Sequence, residues 1–325
     1  MNESKNLMDL KNNSSMLTTL YIDDKYIPET LSATLFSLTE QTVSTDLLVL
    51  ISDKIEDTSA IEEIISDPKF KTPILDKETD QFSGNYEEIS ATKKLNAKIE
   101  KVNFTNFAQI FNYGFNYANS NSYDLFMVVE PEDMIHLKWV ETAKKYSTEN
   151  SEVAVFLPVI KNVVNGAFVG FLNEASWAEN MSEEVGKLDF NLINKFNCAL
   201  PIGAVYSLNS LKYSDTSDSG IEFEETENGS ILPMKESIRV FASYEFFLRL
   251  VYENIKVMTI PRIGYEMRTV NREFYNHTSV KTPQNITQLP IEFGGVTQDE
   301  YAFWLKLAKG EYFHNEDSKV VYAVN

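Results

Sequence analysis

The sequence predicts an α/β fold with a largely parallel sheet. Short apolar runs alternate with amphipathic segments from Met16 onward, and 43% of the 325 residues are apolar. Runs such as DLLVLIS and YDLFMVV show no polar alternation, which suits strands buried on both faces. Strands alternating with helices at this spacing form crossover units rather than hairpins. No internal repeat interrupts the pattern.

Taken in order, residues 1–15 are polar and read as an arm. MLTTLYI reads as the first strand and IPETLSATLFSLTEQ as a helix, with Ile27, Leu31, Thr34, Leu35 and Leu38 at helical spacing. Pro28 suits the first helical turn. DLLVLIS is a second strand, and SAIEEIIS a short helix after it. Residues 68–95 are polar, with Pro68 and Pro73, and read as an excursion from the core. FTNFAQIFNYGFNYANS reads as a helix, YDLFMVV as a strand, HLKWVETAKKY as a helix and EVAVFLPVI as a strand. Asn165-Gly166 between β-formers signals a hairpin. Residues 215–229 are acidic and serine-rich and read as a surface loop. YEFFLRLVYEN is a helix leading to the strand KVMTIP. The chain thus divides into an arm (1–15), a main domain (16–270) and a C-terminal extension (271–325) with a helix near 299–309.

Charge narrows the partners. Lysine plus arginine number 29 against 48 acids, a formal net charge of −19. Phosphate backbones and anionic membranes repel such a chain, so neither nucleic acid nor membrane is an expected partner. One cysteine, Cys198, excludes an internal disulfide framework, and the three histidines leave little for a histidine-rich metal centre. The polar start and the lack of an 18-residue apolar run predict a cytoplasmic protein with neither signal peptide nor membrane span.

Four stretches, in order, carry a family resemblance. They are TLYIDDKYIPETLSATLFSLTEQT, LLVLISDKIEDTS, YDLFMVVEPEDMIHLKWVE and ASYEFFLRL followed by IPRIGYEMR. Together, over roughly residues 16–270, they resemble glycosyltransferase family 2 proteins of the GT-A fold. Tyr21, Tyr26, Gln41-Thr42, Leu248-Arg249-Leu250 and Ile260-Pro261 hold the family pattern. The resemblance implies a mixed, mostly parallel Rossmann-like sheet flanked by helices. It also implies inverting transfer from a nucleotide-sugar, with Mg²⁺ or Mn²⁺ on the diphosphate and a carboxylate base for the acceptor hydroxyl.

At the implied positions the residues depart from the family. The metal-binding Asp-x-Asp becomes Glu130-Pro131-Glu132, with Asp133 next. The base position holds Ser243, preceded by Ala242, and Glu245 is the nearest carboxylate. Two helical steps turn it about 200° away from Ser243. At the second strand Ser52 replaces the first Asp of a pair and Asp53 keeps the second. Ile22 replaces an asparagine. The resemblance therefore implies Glu130, Glu132 and Asp133 as metal ligands, and Tyr21, Asp53, Arg249 and Arg268 as nucleotide contacts. Glu245 would be a displaced base.

Two readings follow. In one, the chain is a non-catalytic GT-A-fold module for binding or assembly, with protein partners or copies of itself. The asparagine- and lysine-containing, cysteine-poor composition suits a low-GC bacterium or its phage, a virion component included. In the other it is an active, metal-dependent inverting glycosyltransferase.

Overall fold

The computed structural model describes residues 14–76, 81–177, 184–189, 192–193, 200–212, 224–225 and 231–269. Residues 1–13 of the 1–15 arm, Cys198, most of the acidic loop and the extension with its 299–309 segment lie outside the described residues.

In chain order the elements begin with β1 (Met16–Ile22), α1 (Pro28–Thr39), β2 (Asp46–Ser52), α2 (Ser59–Ser66), β3 (Lys69–Asp76), β4 (Gln81–Ser90) and β5 (Ala97–Val102). Next come α3 (Phe107–Ser120), β6 (Leu125–Val129), β7 (Met134–Ile135), α4 (Trp139–Glu149), β8 (Val153–Val164) and β9 (Ala167–Leu172). The remainder are β10 (Lys187–Leu188), β11 (Val205–Ser207), α5 (Leu208–Lys212), β12 (Glu224–Glu225), β13 (Ile231–Leu232), α6 (Ala242–Tyr252) and β14 (Lys256–Thr269).

The main sheet runs β10-β14-β8-β11-β6-β1-β2-β5, with β7 added to β14 and β9 to β8. Strands β5, β2, β1 and β6 are mutually parallel, and so are β8 and β14. Between β6 and β8 lies β11, antiparallel to both, so β6 and β8 point the same way. This is the mixed, mostly parallel sheet that the alternation of elements predicts.

Burial explains the unbroken apolar runs. In β2, Leu48 and Leu50 join one core with α3 and α6, while Leu47, Val49 and Ile51 join a second core with α1 and α4. A strand covered on both faces has no solvent side to encode. The first core centres on Phe111, whose ring meets Tyr206 edge-on at 4.9 Å and Phe126 edge-on at 5.3 Å. Helix α3 starts where Asn106 accepts a hydrogen bond from the Gln109 amide at 3.1 Å, an N-cap. It comes close to the sheet because residue 114 is glycine. A Cβ there would meet Thr19 Oγ1 at 2.5 Å.

The excursion over 68–95 contains β3 and β4, an antiparallel pair that forms a sheet of its own. The strand expected to end at Pro261 instead continues to Thr269 along β8. The Asn165-Gly166 turn is present, with φ of 50° and 80°, the left-handed pair that a tight hairpin requires.

Candidate functional site

Because the crossover strands are parallel, their carboxyl ends open on one edge of the sheet, where open α/β sheets place ligand sites. Tyr21, Asp23 and Asp24 lie at the end of β1, Ser52 and Asp53 at that of β2, and Glu130 to Asp133 after β6. Arg268 sits near the end of β14, on the same edge. The first turn of α6, with Ser243 and Glu245, reaches this edge too. The helix ends in a tight reversal, with Asn254 at φ 58° and the Ile255 amide donating to Leu250 O at 2.8 Å. After it, β14 starts beside Val153, the amino end of β8, so α6 must run down from the carboxyl edge.

The acidic turn is tied to β14. Pro131 follows Glu130, and the Asp133 amide donates back to Glu130 O at 3.2 Å, closing a turn with proline at its favoured second position. The Glu130 amide donates to the Tyr265 hydroxyl at 3.1 Å. Asp133 is fully buried, and its Oδ1 accepts the Arg268 amide at 2.7 Å. Glu130 is buried as well, and Glu132 is half-buried. Strand β7 then pairs Ile135 with Tyr265 and Met134 with Glu266. Arg268 itself reaches Glu266 at 2.8 Å and the Met134 sulfur, and Lys161 meets Glu266 from the other side at 2.8 Å. Burial pushes the Glu266 carboxyl up, but Lys161 and Arg268 outweigh it and hold the group below its ordinary range.

These acids do not fit a ready-made Mg²⁺ or Mn²⁺ centre. Among the described residues no three His, Cys, Asp or Glu side chains are grouped so as to hold a metal ion. Asp133 turns one oxygen to a backbone amide instead.

The β1–β2 end is acidic. Burial raises the Tyr21 phenol above its ordinary value, a bond with Ser52 opposes this, and Asp23, Asp24 and Asp53 add to the rise. Tyr21 donates to Phe104 O at 3.4 Å, and Asp53 is exposed, its amide bonded to Val102 O. Beside this end, along α3, runs a groove of about 430 Å³ whose walls include Phe104, Gln109, Tyr113 and Asn116.

On α6, Ser243 is buried and Glu245 completely so. Arg249, one turn on, donates to both Glu245 oxygens, at 3.0 and 3.2 Å, and Lys235 lies 3.7 Å away. Arg249 also donates to Pro233 O at 2.6 Å. The segment in front of α6 is held from the other side by Asn112. Its amide nitrogen donates to Met234 O at 2.8 Å and its oxygen accepts the Met234 amide at 2.9 Å.

The structure thus gathers Tyr21, Asp53, Glu130, Glu132, Asp133 and Arg268 on one edge, and gives Glu245 and Arg249 to each other. Sequence reasoning missed two residues that shape the site. Tyr265, in the stretch IPRIGYEMR, supports the acidic turn, and Lys235 closes over Glu245. That stretch marks Tyr265 only as part of the family pattern, and Lys235 lies in none of the four stretches.

Against known proteins, no protein-family model matches the chain and no curated protein matches it. Among solved structures it is similar to S. aureus TarS, a glycosyltransferase with a GT-A-like fold. The structure of TarS 1-349 in complex with UDP-GlcNAc aligns with a TM-score of 0.47 and 15% identity, over 81% of this chain and 60% of that one. The complex with UDP gives a TM-score of 0.46 and 14% identity, over 81% and 63%. The longer TarS structure gives 0.45 and 14%, over 81% of this chain and 38% of its own length. The chain therefore spans less than two thirds of each of these structures.

Proposed function

We propose that this chain is a non-catalytic module of the GT-A fold, used for binding or assembly. One observation carries the reading. Where the fold's transferases need a carboxylate base there is buried Ser243, and the nearest carboxylate, Glu245, is committed through both oxygens to Arg249. Serine has no useful basicity near neutral pH, and a base must reach the proton it removes. A fold alone does not confer a function, so the site decides. The partners in this reading are proteins or further copies of the chain, and a phage virion is one such assembly.

A second reading, a metal-dependent inverting glycosyltransferase, is favoured by one observation: Tyr21, Asp53, the acidic turn and Arg268 share the carboxyl edge. Mg²⁺ or Mn²⁺ would have to be recruited by Glu130, Glu132 or Asp133, with Glu245 as base. Calorimetry with UDP and with GDP, each with and without Mn²⁺, separates the two. The module reading expects no micromolar binding. Micromolar affinity that disappears in Glu132→Ala would sink it. Binding together with turnover of a nucleotide-sugar would establish the transferase.

A further inference from the structure

The β8–β9 hairpin carries an apolar surface that neither reading uses. Phe168, Val169 and Phe171 are 55%, 61% and 43% exposed, and residues 162–172 contain no charged side chain. Their arrangement follows from the register. Ile160 pairs with Leu172 on the side of the second core, so Lys161 with Phe171 faces the opposite side. Between Gly170, opposite Asn162, and Phe168, opposite Val163, one residue is extra: Val169 is a bulge. The bulge reverses the alternation, so Phe168 and Phe171 share one face, and their rings lie 5.0 Å apart. Exposed aromatic clusters of this kind mark interaction surfaces.

Thr269 is the register partner of Val164, the last residue before the hairpin turn, so the chain leaves β14 beside that turn, next to this surface. Farther on, residues 299–310 read DEYAFWLKLAKG. Tyr301, Trp304, Leu305 and Ala308 recur at i, i+3, i+4 and i+7, the stripe of an amphipathic helix. A flexible linker as long as residues 270–298 would have a span of roughly 30 Å, enough to bring the stripe back over the hairpin. Such a tether supplies a local concentration on the order of millimolar. A second copy has no such help, since each carries a net charge of −19 and repels the other.

We propose that the β8–β9 hairpin is the docking surface for the chain's own segment 299–309, which lays Tyr301, Trp304 and Leu305 against Phe168, Val169 and Phe171. The test places a photoreactive residue in the full chain, Val169→p-benzoylphenylalanine, and irradiates it in dilute solution. The expected product keeps the monomer mass, with the adduct in the peptide that holds Trp304. A covalent dimer would assign the surface to a second copy and overturn the proposal, as would an adduct elsewhere or none. A second variant leaves the hairpin untouched. Trp304→Ala should speed hydrogen exchange at residues 167–172 by at least ~10-fold while exchange in β1 and β2 stays as it was. Unchanged exchange in the hairpin would equally overturn it.

Discussion

Glu245 and Arg249 hold each other one helical turn apart, the carboxylate wholly buried and the guanidinium donating to both of its oxygens at 3.0 and 3.2 Å. The same guanidinium reaches Pro233 O, so the pair fastens the segment in front of α6 to the helix. Removing one member leaves the other charge buried and uncompensated. Glu245→Ala is therefore expected to cost ~3–5 kcal/mol, read as a lower midpoint in urea unfolding. A surface carboxylate kept for proton transfer would cost far less, and a loss below about 1 kcal/mol would contradict the assignment.

Asn112 is a clip of the same kind. Asn112→Ala strands both the amide and the carbonyl of Met234, each at ~1–3 kcal/mol. Asn112→Asp keeps the acceptor but sets a buried carboxylate against Met234 O and the Glu236 carboxylate, and should be at least as unstable as the alanine variant. Thermal unfolding of the three proteins gives the order directly.

The acidic turn depends on a glycine it does not contain. Gly203 has φ 67°, and a Cβ there would meet Tyr265 Cδ2 at 2.4 Å, in the ring whose hydroxyl receives the Glu130 amide. Its carbonyl also accepts Trp139 Nε1 at 2.8 Å. Gly203→Ala combines backbone strain with overpacking and should cost ~2–4 kcal/mol. Tyr265→Phe strands the Glu130 amide at ~1–3 kcal/mol but adds neither strain nor overpacking, and leaves the fold intact. Denaturant melts of both variants check the ranking.

Two tyrosines set an alkaline limit. Tyr123 is pushed up to about 12 by burial and by its bond to Asp46, and Tyr113 to about 12 chiefly by its bond to Glu100. Both are raised in the fold above the ordinary 10.0, so the stabilisation they give is complete below pH 10 and is lost as pH climbs toward 12. Beside the raised Tyr21 and Tyr206 phenols, tyrosinate absorbance should show two late titrations from this pair. The double variant Tyr113→Phe, Tyr123→Phe should abolish them and flatten the loss of stability above pH 10. A wild-type curve already flat there would refute this.

Much of this architecture is legible in the chain. MLTTLYI, DLLVLIS and SAIEEIIS coincide with β1, β2 and α2 because buried strands and an amphipathic helix leave plain patterns. AKIEKV, which becomes β5, does not read as a strand. It lies at the sheet margin with charged residues exposed, and its pairing with β2 is its only strand feature. The three-residue β11 and two-residue β7 are too short for any period and exist because neighbouring strands offer them partners. At the site, the acids and Ser243 could be named from motif positions. Their partners could not, since the Tyr265–Glu130 and Arg268–Asp133 bonds each join residues 135 positions apart.

The antiparallel strand at the middle of the sheet also sets a schedule for synthesis. Strands β1, β2, β5 and β6 pair with one another, so the first half of the sheet can form once residue 129 is clear of the ribosome. The outer edge of β6, LFMVV, then has unmet backbone groups and a wholly apolar sequence. Its partner, Val205–Ser207, follows only 78 residues later. At synthesis rates of about 5–20 residues per second that interval is roughly 4–16 s. During it the nascent chain exposes the kind of edge that recruits other strands. The vulnerable moment of this protein is therefore in its making, and chaperone dependence should be greatest while residues 130–207 are being added.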